Sequence, residues 1–246
     1  MDDLDSLIRR TDEDRWLASR FAPADARAKL MAIYAVNYEI ARSAEVVSDA
    51  AIGDIRLAWW REALGEIHAS QAPRAHPALQ AYAAAMAEAN LLPLWQRLIG
   101  AREKDLEAAP FAAWADLDVY LDATAGGVMR LALAACETAW HTECVSAAAR
   151  AWGSVGLLRA QTHWRTRGRS CLPREGGSLE QLAQRAGAAL SEARSCFGQT
   201  PPRAFPALGY LALTQGYLRA LKRGQTDTPL LMRQVRLVAA AATGRL

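Results

Sequence analysis

Apolar residues recur at three- and four-residue spacing along almost the whole chain, and nowhere do they alternate with period two over a strand's length. That pattern restricts the fold to an all-α one. Alanine and leucine are abundant while valine, isoleucine and threonine are sparse. The bias favours helix, because Ala and Leu lose little side-chain freedom there and β-branched residues lose more. With 246 residues, 52% of them hydrophobic, the chain carries enough apolar surface for a sizeable core. No Ser-, Gly- or Pro-rich stretch is long enough for a linker, and no repeat of fixed period is present. One domain over residues 1–246, of about ten helices around a central cavity, is the expectation.

Local signals place the helices. After a short acidic opening, Thr11 can cap a helix with Asp12, Glu13 and Asp14 in its first turn, where carboxylates complement the dipole. Pro23 suits the start of a long helix whose inward stripe reads Leu30, Ile33, Tyr34, Asn37, Ile40, Ala41 and Ala44. Gly53-Asp54 begins the next, with Ile55, Trp59 and Ala63 at spacing of about four. Further helices are expected over about 77–90, 93–108, 113–137 and 142–166, then, after a loop from Gly168 to Gly177, over about 178–196, 203–222 and 229–243.

Charge and cysteine content narrow the function classes. A net charge of +3 is too small for a nucleic-acid binder. Arginine outnumbers lysine, which favours forked recognition of phosphate or carboxylate, or merely reflects codon usage. Cys136, Cys144, Cys171 and Cys196 lack metal-ligand spacing and read as buried reduced thiols of a cytosolic protein. His68, His76, His141 and His163 form no metal-type cluster. The opening Met1-Asp2-Asp3-Leu4-Asp5 is too acidic for a signal or transit peptide, and no apolar run approaches the roughly 20 residues that span a bilayer.

Three segments resemble one enzyme family. They are Leu30 to Asn37; Tyr120 to Val128; and Trp152 to Arg159 with the loop Arg167-Gly168-Arg169-Ser170-Cys171-Leu172-Pro173. In order and spacing, over roughly residues 12–240, they are similar to the squalene/phytoene synthases. The resemblance implies an isoprenoid-synthase fold and a reaction that ionises an allylic diphosphate on Mg²⁺ held by two aspartate-rich helices. Here those aspartates are missing. The first cluster falls on Ala41, Arg42 and Glu45, the second on Ala160, His163 and Trp164, and residues 150–174 contain no carboxylate. Cys171 stands where the family has tyrosine. The segment from Arg56 to Leu64, with Glu39-Ile40-Ala41-Arg42 and Glu45-Val46-Val47-Ser48 upstream, resembles the divergent branch that includes a mitochondrial respiratory complex I assembly factor.

Each candidate site residue has two readings. Tyr34, Asn37, Tyr38 and Arg42 share a helix face and border a relict cavity, or Arg42 pairs with Glu39 or Glu45. Gly126 and Gly127 admit either a ligand or a neighbouring helix. Arg159, Arg165, Arg167, Arg169 and Arg174 form an anion-binding rim or a solvated helix end. His163 reads as a base, though with no nucleophile or acid identifiable nearby, or as a polar cavity wall; Trp164 reads as an indole narrowing the cavity, and Trp59-Trp60 as core or partner contact. No catalytic residue and no metal ligand is assigned.

Three functions stay open. One is a catalytically degenerate protein acting by binding, with a protein partner in respiratory-complex assembly. Another is a prenyl-diphosphate transferase with an atypical site, the case in which Mg²⁺ would be its cofactor. The third is a carrier of prenyl or anionic lipid. The expected location is cytoplasmic, with peripheral association with the inner membrane left open.

Overall fold

The computed structural model describes residues 2–47 and 49–246, so Ser48 of the upstream motif lies outside the described residues. Thirteen α-helices are described: α1 (Asp2–Thr11), α2 (Glu13–Ser19), α3 (Ala24–Ala41), α4 (Ala50–His68), α5 (Pro77–Met86), α6 (Leu92–Arg102), α7 (Trp114–Ala135), α8 (Thr142–Arg159), α9 (Gln161–Thr166), α10 (Leu179–Phe197), α11 (Phe205–Leu208), α12 (Thr214–Leu221) and α13 (Leu230–Thr243). Short 3₁₀ turns cover Arg42–Ala44, Glu103–Leu106 and Gly209–Leu213, and no strand occurs among the described residues.

α3 is the core helix. Every residue from Leu30 to Asn37 is buried, because the segment is apolar around its whole circumference rather than along one stripe. It packs on α1, α5 and α7, while α7 also lies against α6 and α8, and α8 against α10. Apolar side chains from Ile8 to Leu246 join one continuous core.

Several boundaries differ from the sequence expectation, each for a local reason. The acidic opening is itself helical, and Thr11 ends α1 with its hydroxyl on the Leu7 carbonyl at 2.9 Å. Asp12 is the cap of α2 instead, its carboxylate accepting from the Arg15 backbone N–H. Likewise Asp49 caps α4, accepting from the Ala51 N–H at 2.9 Å, so α4 starts before Gly53. Gly53 sits inside that helix because Leu106 presses on it; a Cβ there would meet Leu106 Cδ2 at 2.2 Å. The expected 142–166 helix breaks at Ala160, whose ψ of 3° leaves the helical range, and α9 follows as a separate six-residue helix.

The cysteines also depart from expectation. Cys144 on α8 and Cys196 on α10 are disulfide-bonded, with Cα atoms 5.4 Å apart, a separation suited to such a bridge. The bond closes across the α8–α10 packing, a proximity that 52 intervening residues conceal in the sequence. Cys136 and Cys171 remain buried free thiols, and burial pushes the Cys136 thiol up to about 11.

The ends of the chain meet in a buried ionic junction. Asp14 accepts from the Tyr217 hydroxyl at 2.6 Å and from Arg233 Nη1 at 2.9 Å, while Arg233 Nη2 reaches Glu13. Asp14 and Arg233 are 4% and 6% exposed, so neither charge is shared with solvent. Burial holds the Asp14 carboxyl above its usual range despite those donors. Removing Arg233 leaves Asp14 the Tyr217 hydroxyl and the 3.5 Å contact with Arg159, and breaking a buried pair typically costs about 3–5 kcal/mol. Arg233→Met should therefore lower unfolding free energy by about that amount in urea titration, and adding Asp14→Asn should recover part of the loss.

Candidate functional site

A cavity of about 290 Å³ opens where the C-terminal end of α3, the middle of α7 and the end of α8 converge. Its apolar wall is Leu121, Ala125 and Val128 from α7 with Trp152 and Leu157 from α8. Two glycines shape it. A Cβ on Gly153 would strike Leu121 Cδ2 at 2.6 Å, so Gly153 lets α7 and α8 approach; Gly156 faces open space, with nothing within 4 Å of a Cβ.

Its polar wall is dominated by arginine. Arg15 of α2 and Arg102 of α6 reach it from the core side, and Arg167 and Arg169 from the loop after α9. Arg15 is 9% exposed and pairs with Asp12, its guanidinium lying over the Tyr210 ring at 5.1 Å. Burial lowers its proton affinity, but Asp12 together with the Tyr210 and Tyr34 phenols more than restores it, so it stays charged. Arg102 Nη1 donates to Asp105 and to the Tyr120 hydroxyl, each at 3.0 Å, and that hydroxyl donates to Asp105 at 2.7 Å. Burial raises the Tyr120 phenol well above its usual range, fixing it as a hydroxyl donor. Arg167 and Arg169 clamp backbone instead: Arg167 donates to the Glu45 carbonyl at 2.9 Å, and Arg169 to the carbonyl of Asp105.

Two carboxylates line the cavity. Asp105 is engaged by Arg102 and Tyr120, and Glu45 lies at the mouth, 53% exposed, 3.8 Å from His163 Nε2. Ala41, Ala160 and Trp164 occupy the rest of the facing wall between α3 and α9. No three His, Cys, Asp or Glu side chains gather to hold a metal ion among the described residues.

The sequence candidates divide. Asn37, Glu45, His163, Trp164, Arg167 and Arg169 line the cavity, and the buried Asn37 Oδ1 finds no partner. Tyr34 is fully buried beside Arg15, behind the cavity wall, and its hydroxyl is also without a partner. Tyr38 and Arg42 turn away: Arg42 stacks on the Tyr38 ring at 5.4 Å and pairs with Glu39 at 3.5 Å. Gly126 and Gly127 serve helix crossings, Gly126 against Ala149 of α8 and Gly127 against Leu98 of α6. Arg159 leaves the expected rim, lying over Tyr217 at 4.2 Å and donating to the Thr226 carbonyl, while Arg165 is exposed off the wall. Trp60 is core, and Trp59 packs on it edge-on under Arg74.

The residues missed from sequence are Arg15, Arg102, Asp105 and Tyr120. The signal for Tyr120 was present, in the small-residue segment. Arg102 sits in the last turn of α6, where a cation complements the helix dipole with no site needed to explain it.

Helices enclosing a cavity of this kind define an isoprenoid-synthase-type fold. A crystal structure of a dehydrosqualene synthase in complex with ligand superposes with a TM-score of 0.81 at 15% identity, covering 97% of this chain and 94% of that one. That of squalene synthase HpnC from Alicyclobacillus acidocaldarius gives 0.75 at 23% identity, over 91% and 93%. The sequence profile of squalene/phytoene synthase matches residues 8–179, and the chain belongs to that family. It is also similar to NADH dehydrogenase (ubiquinone) complex I, assembly factor 6, of Mus musculus (27% identical, 90% of this chain, 73% of the relative). The Homo sapiens counterpart is 25% identical over the same shares.

Because Gly156 sits in a helix with space beside it, Gly156→Ala should gain helix propensity without a clash. The expected gain is about 1 kcal/mol, read as a rise in Tm of about 2–4 °C.

Proposed function

We propose that this protein acts by binding, as an assembly factor for a respiratory NADH dehydrogenase complex, and does not couple prenyl diphosphates. The observation that carries this reading is the wall between α3 and α9. Where paired carboxylates would have to face each other across a diphosphate, the side chains are Ala41, Ala160, His163 and Trp164. Mg²⁺ is held by hard oxygen donors, commonly one or two carboxylates completed by water and phosphate. The two carboxylates present do not fit it: Asp105 is occupied by a cation and a phenol, and Glu45 stands alone at the mouth. No cofactor is therefore part of the proposal.

The similarity to complex I assembly factors supports the partner class. Location at a membrane face would follow from that partner rather than from a span, since no described helix is long and apolar enough to cross a bilayer. The apolar lining of the cavity favours a bound small molecule as part of the same role.

Two measurements test the proposal. Purified protein with farnesyl or geranylgeranyl diphosphate and Mg²⁺ should release no pyrophosphate above a heat-killed control; multiple turnovers would overturn the reading. Deleting the gene in its own organism should reduce assembled NADH dehydrogenase complex several-fold on native gels, with recovery from a plasmid copy. Restoring Asp at Ala41, Arg42, Ala160 and Trp164 together should not create synthase activity, because ligands also need a supporting shell.

A further inference from the structure

Ten large hydrophobic side chains stand exposed among the described residues, and five of them, Leu230, Leu231, Met232, Val235 and Val238, lie on α13. One short helix therefore holds half of the exposed apolar bulk as a contiguous strip, which scattered surface residues would not give. α13 packs its inner side on α2 and on the 3₁₀ turn Gly209–Leu213, burying Arg233, Leu237 and Ala240. Opposite that buried line, Leu231, Val235, Val238 and Ala242 follow one another at steps of four, three and four. Those steps are the apolar seam of a two-helix coiled coil. The two charges of α13 are both turned off the seam. Arg233 is engaged by Asp14 and Glu13, and Arg236 lies across Gly216 of α12, where a Cβ would collide with its guanidinium. Met232, Gln234, Ala239 and Ala241 border the seam, so no cation flanks it. A helix that grips an anionic bilayer carries Lys or Arg beside its apolar face; this one suits another uncharged helix instead.

We propose that this face pairs with the same face of a second copy of the chain, the two α13 helices running antiparallel about a two-fold axis. Side-chain size sets the register. With the axis between Arg236 and Leu237, Val235 opposes Val238 of the second copy and Leu231 opposes its Ala242. Each bulky leucine then meets a small alanine at both ends of the seam, the self-complementarity that an isologous contact requires. Parallel pairing would crowd leucine on leucine at one end and leave alanine facing alanine at the other. Antiparallel packing also sets the two helix dipoles in opposition. At 14 residues α13 is about 21 Å long, and pairing removes on the order of 1,000 Å² in total from water. That is the lower bound for a specific interface, so the dimer is weak and depends on concentration. The inference uses no cavity residue and goes beyond the binding role proposed above.

Sedimentation velocity on the purified chain, from low to high micromolar concentration, tests the pairing. Wild type should pass reversibly from one copy to two. Val235→Glu and Val238→Lys should each weaken self-association at least tenfold, because each homodimer then holds two like charges beside its axis. Both positions are exposed in the single copy, so neither change should move Tm by more than about 2 °C. Mixing the two variants should restore association, since the introduced carboxylate of one faces the introduced ammonium of the other. A wild type that stays single throughout overturns the proposal, as do variants that associate like wild type or a mixture that fails to recover. A single-copy wild type that floats with phosphatidylglycerol vesicles would assign the face to lipid and overturn it too.

Discussion

Asp14, 4% exposed, is held on both oxygens by the Tyr217 hydroxyl and the Arg233 guanidinium, with Arg159 Nη1 a further 3.5 Å contact. In such surroundings the geometry is over-determined, because releasing either partner leaves an underpaired charge in low dielectric. The junction ties α2 to α12 and α13, and α2 is only seven residues long. Fixing Asp14 therefore fixes the rotation of the whole helix. Arg15, the next residue, is buried and lines the cavity. The charge of the cavity is in this sense set by a salt bridge on its far side.

Most of the helical inventory was legible because apolar spacing is repeated in every segment, and packing rewards that spacing. The boundaries were less legible. Thr11 and Asp12 are both competent caps, and the shape of the chain rather than propensity decides for Asp12. The break at Ala160 carries no glycine or proline to announce it. Cys144 and Cys196 could be paired only once α8 and α10 were known to touch.

The site was half legible, for a related reason. Glu45, His163 and Trp164 were found by register with a family motif and Asn37 by the helix face it shares with Tyr34, and all four lie on the cavity wall. Arg159 was grouped with Arg167 and Arg169 by sequence proximity, but the turn at Ala160 separates α8 from α9 and sends Arg159 toward Tyr217. Gly126 and Gly127 were ambiguous by nature, since a glycine clears space equally for a ligand or a helix. Arg15 and Arg102 were hidden because each has a nearby acid in sequence, Asp12 and Asp105, and so reads as an ordinary surface pair. Only burial shows that their remaining donors are unspent.

Membership of the squalene/phytoene synthase family and a wall of Ala41, Ala160, His163 and Trp164 are compatible, because the packed helices set the fold while the few side chains that face the cavity set its chemistry. The most direct test is a crystal structure grown with Mn²⁺ and pyrophosphate, the metal located by its anomalous signal. The account predicts no manganese peak between α3 and α9, and a manganese ion coordinated there by Glu45 or Asp105 would contradict it.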